Sequence, residues 1–500
     1  MKTLVICCDG TWNKPDQKAG GRVTPTNVVK LSHCLDKVDQ DKNVQEVYYH
    51  TGVGTDGDWL DKFWGGAMGA GLDGIILSAY SWLCRHWESD SRLFLFGFSR
   101  GAYTVRSLTG VIRKCGLLNL EGLPESEKWE RLTQVFQTVY RQKKDPNLGL
   151  KYLPDAGPAS EKVKISFLGV WDTVGSLGIP DDMGLLNLLD NPARYQFHDT
   201  DLSPQVQVSR QALAMDEMRS SFAPTKWSNV PPTADCQQIW FPGCHSDVGG
   251  GFAETGLSDD ALKWMIEEAA KGGLGFRTSS VAQIQPSFQG PLHDPVEGVW
   301  AVMRTQPRNV PEVKADPPLF HPSALSRVAD PPIAQAPFWS TLSVPCSVEV
   351  YAKERWNFTG VYLQAGKPYQ LTSSGEWVDG DMTFNPGGQR QGGLSLGDIS
   401  HVVGNLVGGL EGIFQAVFRN KKADFWGTKR VESMPWFALV GAVANENDPQ
   451  KDGTPDGMEV FLIGASRNFT PTKSGYLYCF ANDAWHFYDN NKGSVTMTVR

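Results

Sequence analysis

Four short apolar runs limit what this chain can fold into. Thr3–Cys8, Arg92–Phe98 and residues 164–171 and 237–242 each end at a turn signal. Near-continuous apolar character over six to eight residues, closed by turns, is the pattern of strands buried on both faces. Between these runs, residues 70–87, 102–115, 125–142 and 257–271 carry helical periodicity. Alternation of the two predicts an α/β domain, a mostly parallel sheet covered by helices. A chain of 500 residues exceeds one compact core, and the pattern does change. Prolines crowd residues 306–336, and from about 344 short alternating runs with Gly and Asn/Asp turns predict an all-β sandwich. The expected division is residues 1–340, with a Pro-rich end and linker at about 306–343, and residues 344–500. One stretch breaks the alternation: residues 394–418 space their Ile, Val, Leu and Phe helically and run into Arg419-Asn420-Lys421-Lys422. This predicts an amphipathic helix inserted into the sandwich at about 386–430, packed on the protein or lying in a membrane interface.

Composition excludes several classes. A net charge of −8 argues against a generally basic nucleic-acid binder. No apolar run is long enough to cross a bilayer, and the N-terminal one is too short for a signal peptide. Nine cysteines show neither a CxxC pair nor zinc spacing, so folding in a reducing cytoplasm is expected.

The chemistry begins at Gly97-Phe98-Ser99-Arg100-Gly101, a G-x-S-x-G match between an apolar strand and a helix-forming stretch. A serine there sits on a sharp turn, and small neighbours let other chain segments pass close to it. Such a nucleophile needs an acid and a histidine further along the chain. The third apolar run leads into Asp172, and the fourth into Gly243-Cys244-His245-Ser246-Asp247-Val248-Gly249-Gly250-Gly251. Both fall at carboxyl ends of strands, where open α/β sheets bind ligands. Ser99, Asp172 and His245 are therefore the candidate triad, with His245 as base and Asp172 orienting it. Rivals are His198, His293, His321, His401 and His486 for the base and Asp247 for the acid, while Asp172 could instead cap a helix. The candidate oxyanion donors are the backbone N–H of Arg100 and a second from Gly10 or Thr11, in the turn after the first strand. That turn also reads as an Asx-capped one.

Taken in order, Cys8-Asp9-Gly10-Thr11-Trp12-Asn13, Gly97-Phe98-Ser99-Arg100-Gly101-Ala102, Gly169-Val170-Trp171-Asp172-Thr173-Val174-Gly175 and the segment from Trp240 to Gly251 resemble one signature set. It is similar to that of the α/β-hydrolase family containing the type VI secretion lipase effectors with a GxSxG motif. The resemblance implies an α/β-hydrolase fold and a triad of Ser99, Asp172 and His245. It implies phospholipid or another lipid ester as substrate, and no cofactor for catalysis. The lack of a signal peptide fits residence in the producing bacterium's cytoplasm, and type VI delivery into target cells, with an immunity protein or secretion chaperone as partner, is implied by the same resemblance.

Near the C-terminus, Asn482-Asp483-Ala484-Trp485-His486-Phe487-Tyr488-Asp489-Asn490-Asn491 resembles the calcium loop of a small galactose-binding bacterial lectin. It implies an all-β, jelly-roll-like sandwich, side-chain ligands from Asp483, Asn490 and Asn491, a carbonyl from Phe487, and contact with a glycan or membrane surface. Hard oxygen donors on a turn suit calcium, and a hairpin holding no ion is the plainer alternative. Two readings compete with a lipid esterase: a carbohydrate- and calcium-binding surface protein on an inactive hydrolase scaffold, and a structural part of a secretion particle.

Overall fold

The computed structural model describes residues 1–10, 18–19, 21–52, 72–144, 148–175, 201–232, 234–296, 305–335, 337–389, 429–445, 457–485 and 487–500. The sheet of the first half consists of β1 (Thr3–Cys8), β2 (Gln45–His50), β3 (Arg92–Phe98), β4 (Ile165–Trp171), β5 (Val208–Ala214) and β6 (Asp235–Phe241). Their order is β2-β1-β3-β4-β5-β6, and every pairing is parallel. Alternate residues feed two cores. Leu4, Ile6, Leu93 and Leu95 face one layer, while Val5, Cys7, Phe94 and Phe96 face the other. The first layer is closed by α1 (Leu72–His86) and α2 (Arg100–Cys115), the second by α3 (Gly256–Lys271) and the short helix Asn27–Cys34.

Register decides which residues meet beyond the strands. Cys8 pairs with Gly97, Phe98 with Trp171, Trp171 with Ala212, and Ala214 with Phe241. The strands thus end nearly level, and the residues just past them share one edge. The chain reverses direction across the sheet between β1 and β3, the switch point where such sheets hold ligands.

Two strands escape the apolar-run criterion. β2 is an edge strand, half exposed along its length. β5 buries Arg210 and Gln211, the arginine being paired with Asp235 and Glu268, so its sequence reads as polar.

The second half is antiparallel: one sheet holds β7 (Asn357–Leu363), β8 (Gly475–Ala481), β9 (Leu439–Ala444) and β10 (Glu459–Leu462). The other is built on Tyr369–Asp379 and Asn491–Val499, flanked by Met382–Phe384, Cys346–Tyr351 and Ser466–Phe469. Val361, Leu371, Trp377, Leu439, Leu477 and Met497 fill the space between them. The expected helix at 394–418 lies outside the described residues. The Pro-rich stretch does more than connect: Val310, Val313, Phe320, Phe338 and Trp339 form a core with Leu213, Met215 and Trp240 on one side and Tyr476 and Tyr478 on the other. Among the described residues no helix is long and apolar enough to cross a membrane.

The glycines of the serine motif set how close α2 comes to the sheet. A Cβ on Gly101 would overlap the Cys8 carbonyl and lie 2.6 Å from that of Asp9. Gly101→Ala should therefore destabilise the protein by at least about 1–3 kcal/mol, the usual cost of overpacking. The check is denaturant unfolding followed by tryptophan fluorescence, with the native chain alongside.

Candidate active site

Ser99 is the residue between β3 and α2, with φ 57° and ψ −122°, a positive-φ conformation that a non-glycine residue holds only when its surroundings impose it. Its N–H donates to the Trp171 carbonyl at 3.1 Å, which ties the turn to the end of β4. One residue further, Asp172 also has positive φ and donates its N–H to the Ala212 carbonyl at 2.8 Å. His245 opens the short turn of helix His245–Gly249, and a Cβ on Gly249 would overlap the Phe98 ring. That close approach brings the loop against β3. The His245 ring lies 4.6 Å from the ring of Phe98, the neighbour of Ser99, and meets the edge of Phe222 at 5.0 Å.

Asp172 and His245 are joined directly, Nδ1 to Oδ2, at 2.6 Å. The carboxylate receives three further bonds: from the Ala214 N–H at 3.0 Å, from Arg308 Nη1 at 2.7 Å and from Arg308 Nη2 at 2.8 Å. Burial alone would raise the Asp172 pKa, but the Arg308 charge and the bonds from His245 and Arg308 reverse this and hold it well below the usual carboxylate range. Because an ionised carboxylate only accepts, His245 Nδ1 must be the donor and Nε2 the bare acceptor. Nε2 is buried and has no hydrogen-bond partner among the described residues, so no bond runs from Ser99 to it in this state. Such bonds are often long before substrate arrives. Burial lowers the His245 pKa below its ordinary value, with Asp172 opposing that only in part. The imidazole is thus neutral at pH 7, the form the candidate base needs.

The rival histidines are placed elsewhere. His293 bonds Asp247 at 2.6 Å and stacks on Phe252, while Asp247 also accepts the Cys244 N–H at 3.0 Å. Asp247 is therefore a brace for the His245 loop. His321 stacks on Phe241, and burial drives its pKa down to about 4. His198, His401 and His486 lie outside the described residues.

On the oxyanion side, Arg100 is the first residue of α2, whose N-terminal N–H groups favour developing negative charge. The Gly10 N–H donates to Asp9 Oδ1 at 2.7 Å, so in this arrangement it is engaged, and Thr11 lies outside the described residues. Asp9 Oδ2 accepts from Thr26 at 2.7 Å and Tyr49 at 2.8 Å, which fixes the turn after β1. Sequence reasoning missed two contributors: Arg308 and Glu217, whose carboxylate accepts the His245 N–H at 3.2 Å and pairs with Arg219 at 2.7 Å. Their signals were partners 28 to 136 positions away in the chain, or too generic to single out.

In the C-terminal half, Asp483 Oδ2 accepts from Asn491 Nδ2 at 2.8 Å, and Asp379 Oδ1 accepts from Asn490 Nδ2 at 2.8 Å. Asn491 Oδ1 is buried and unpartnered among the described residues. Burial, reinforced by the nearby Asp379 charge, pushes the Asp483 pKa up to about 7. Two carboxylates and two amides offer the hard oxygens that calcium takes, and an orphaned acceptor beside crowded carboxylates is what a cation would relieve. Phe487 precedes the turn Tyr488–Asn490 with its N–H on the Ala484 carbonyl at 3.1 Å. Among the described residues no three His, Cys, Asp or Glu gather as a metal site.

A family model described as "T6SS, Phospholipase effector Tle1-like, catalytic domain" matches residues 2–268. An uncharacterized protein of Saccharomyces cerevisiae, YEL023C, is 29% identical over 411 residues, covering 56% of this chain and 58% of that one. A solved Tle1 effector, bound in its structure to the VgrG spike of the type VI secretion system, is 20% identical with a TM-score of 0.31, covering 50% of this chain and 51% of the other. The N-terminal domain of EclA, a PllA-like lectin, is 19% identical with a TM-score of 0.19, covering 31% of this chain and 92% of that domain. The chain spans little more than half the length of the yeast protein and of the effector. At such TM-scores the family match alone carries the assignment.

The lowered His245 pKa gives a direct expectation. Labelling of Ser99 by a fluorophosphonate should persist as pH falls and be lost with a midpoint below 6.5, the value of ordinary imidazole. Gel fluorescence of labelled protein against pH reads it.

Proposed function

The chain belongs to the Tle1-like family of type VI secretion phospholipase effectors, through a catalytic-domain match over residues 2–268, and on that footing we propose a serine lipid-ester hydrolase of phospholipase A type. The observation that carries the reading is the buried Asp172–His245 bond of 2.6 Å at the strand edge where Ser99 sits on its strained turn. In the first half-reaction Ser99 Oγ attacks the ester carbonyl while His245 Nε2 takes its proton. The ester C–O bond then breaks, and that proton passes to the leaving alcohol. Water, activated by the same nitrogen, releases the fatty acid and restores Ser99. The N-terminal N–H groups of α2, beginning with Arg100, stabilise the oxyanion in both steps. Type VI delivery, a spike or chaperone partner and an immunity protein belong to this reading through the family membership.

The test is fatty-acid release from mixed phospholipid vesicles. The native chain should turn over, and Ser99→Ala should lose at least roughly 10³-fold in rate. Cleavage of a soluble short-chain ester without release from vesicles would leave an esterase and sink the phospholipase. Turnover of neither, with calcium-dependent binding of a galactoside, would favour the surface-binding protein.

A second reading concerns the sandwich: Asp379, Asp483, Asn490, Asn491 and the Phe487 carbonyl hold calcium. It rests on the unpartnered buried Asn491 Oδ1 and the elevated Asp483 pKa. Calcium at 100 times its Kd should stabilise the native chain by about 2.7 kcal/mol. Asp483→Asn should abolish that gain. A melting curve unmoved by calcium or chelator would remove the ion.

A further inference from the structure

The catalytic carboxylate is gripped from a part of the chain that the family match does not reach. We infer that Arg308 is a positioning residue of the active site: its guanidinium clamps both oxygens of Asp172, fixing the direction in which His245 must point, and the sandwich holds it in place. The inference rests on the serine-hydrolase reading and extends it.

The geometry is that of a fork on a fork. Nη1 meets Oδ1 at 2.7 Å and Nη2 meets Oδ2 at 2.8 Å, and the same nitrogens also donate to the carbonyls of Ala214 at 2.7 Å and Phe222 at 2.6 Å. Both side chains are buried. An ionised carboxylate offers about four lone-pair sites, and here Arg308 fills two, Ala214 a third and His245 the fourth. The carboxylate cannot turn without breaking bidentate, charge-assisted bonds. The imidazole consequently has one direction in which to bond, and its tautomer is set.

The clamp also changes the electrostatics of the base. Among the described residues, the charged groups facing His245 are Asp172 with Arg308 and Glu217 with Arg219, two oppositely charged pairs. Asp247, on the His245 helix, is turned to His293. An unclamped Asp172 would leave a net negative partner for the imidazolium formed in catalysis. With Arg308 in place that charge is already balanced, so the imidazolium is less favoured and gives its proton more readily to the leaving group.

Arg308 does not stand on its own segment. Gln306 N–H donates to the Met218 carbonyl at 2.6 Å, and Thr305 Oγ1 accepts from Trp356 Nε1 at 2.9 Å. Val310 and Val313 are buried with Tyr476 and Tyr478 of β8, and Val313 N–H donates to the Tyr476 hydroxyl at 3.2 Å. The residues on both sides of Arg308 thus touch the sandwich.

The experiment compares native chain, Arg308→Met and Arg308→Lys, following fluorophosphonate labelling of Ser99 and hydrolysis of a soluble short-chain ester across pH. Loss of the fork should lower kcat/KM about 10²-fold, the scale of a displaced catalytic group. In Arg308→Met the acidic limb should also move to higher pH, because removing a cation favours the imidazolium. Arg308→Lys should keep the limb near its native position and recover only part of the rate, since an ammonium supplies charge without the fork. A folded Arg308→Met with native rate and limb overturns the inference. So does a rate loss with an unmoved limb that Lys does not relieve, which would mark a packing role. If Arg308→Met does not fold, Arg308→Lys decides alone: reduced rate with a native limb supports the clamp, and full native rate overturns it. A native chain inert towards both probes would instead remove the serine-hydrolase reading on which the inference stands.

Discussion

The buried negative charge of Asp172 organises the carboxyl edge of the parallel sheet. Asp172 is fully buried, where an isolated carboxylate would take up a proton rather than stay charged. It stays ionised because its donors converge from three places: the end of β5 through Ala214, the loop after β6 through His245, and the Pro-rich segment through Arg308. Each of those segments must be in register for the charge to be tolerated. Removing one partner of such a cluster leaves an uncompensated charge, which is why breaking buried pairs is costly even where forming them gains little. The Asp172–His245 geometry and the packing of the Pro-rich segment are therefore one structural problem with one solution.

Much of this was legible in the sequence, and the boundary of legibility is physical. β1, β3, β4 and the end of β6 announce themselves because both faces are buried and apolar, and the residues after them, Ser99, Asp172 and His245, are located by position. β2 and β5 do not, because an edge strand keeps a half-exposed face and because Arg210 in β5 is buried by pairing with acids on other elements. Arg308 is invisible for the same reason in stronger form. A buried arginine looks like a surface residue until its partner, 136 positions earlier, is known.

The sandwich shows the same boundary with amides. Asp483 and Asn491 were readable from a local loop pattern, whereas Asp379, at the end of a strand more than a hundred positions away, was not. Nearby, Arg430 lies over Phe480 at 3.5 Å, Trp485 at 4.1 Å and Trp356 at 4.2 Å. Burial lowers its pKa, but aromatic faces and the Tyr488 hydroxyl support the cation there. This gives several of the tryptophans a role. Trp356 borders the cage and also donates to Thr305, three residues from Arg308, which grips Asp172.

That connection bears on why the two halves are joined as they are. A flexible linker would let the sandwich move freely and leave Arg308 to be ordered by Asp172 alone, at an entropic cost for each residue fixed. Instead Trp339 donates to Asp216 at 2.7 Å, and the other oxygen of Asp216 accepts the Gly243 N–H at 2.6 Å, two residues before His245. The chain leading into the sandwich therefore holds the His245 loop through Asp216 while the segment before it holds Asp172 through Arg308. Asp172 and His245 are both braced by chain that packs against Tyr476 and Tyr478 of the sandwich. The second half is thus tied to the Asp172–His245 pair at two separate places, through Thr305 beside Arg308 and through Trp339 on Asp216.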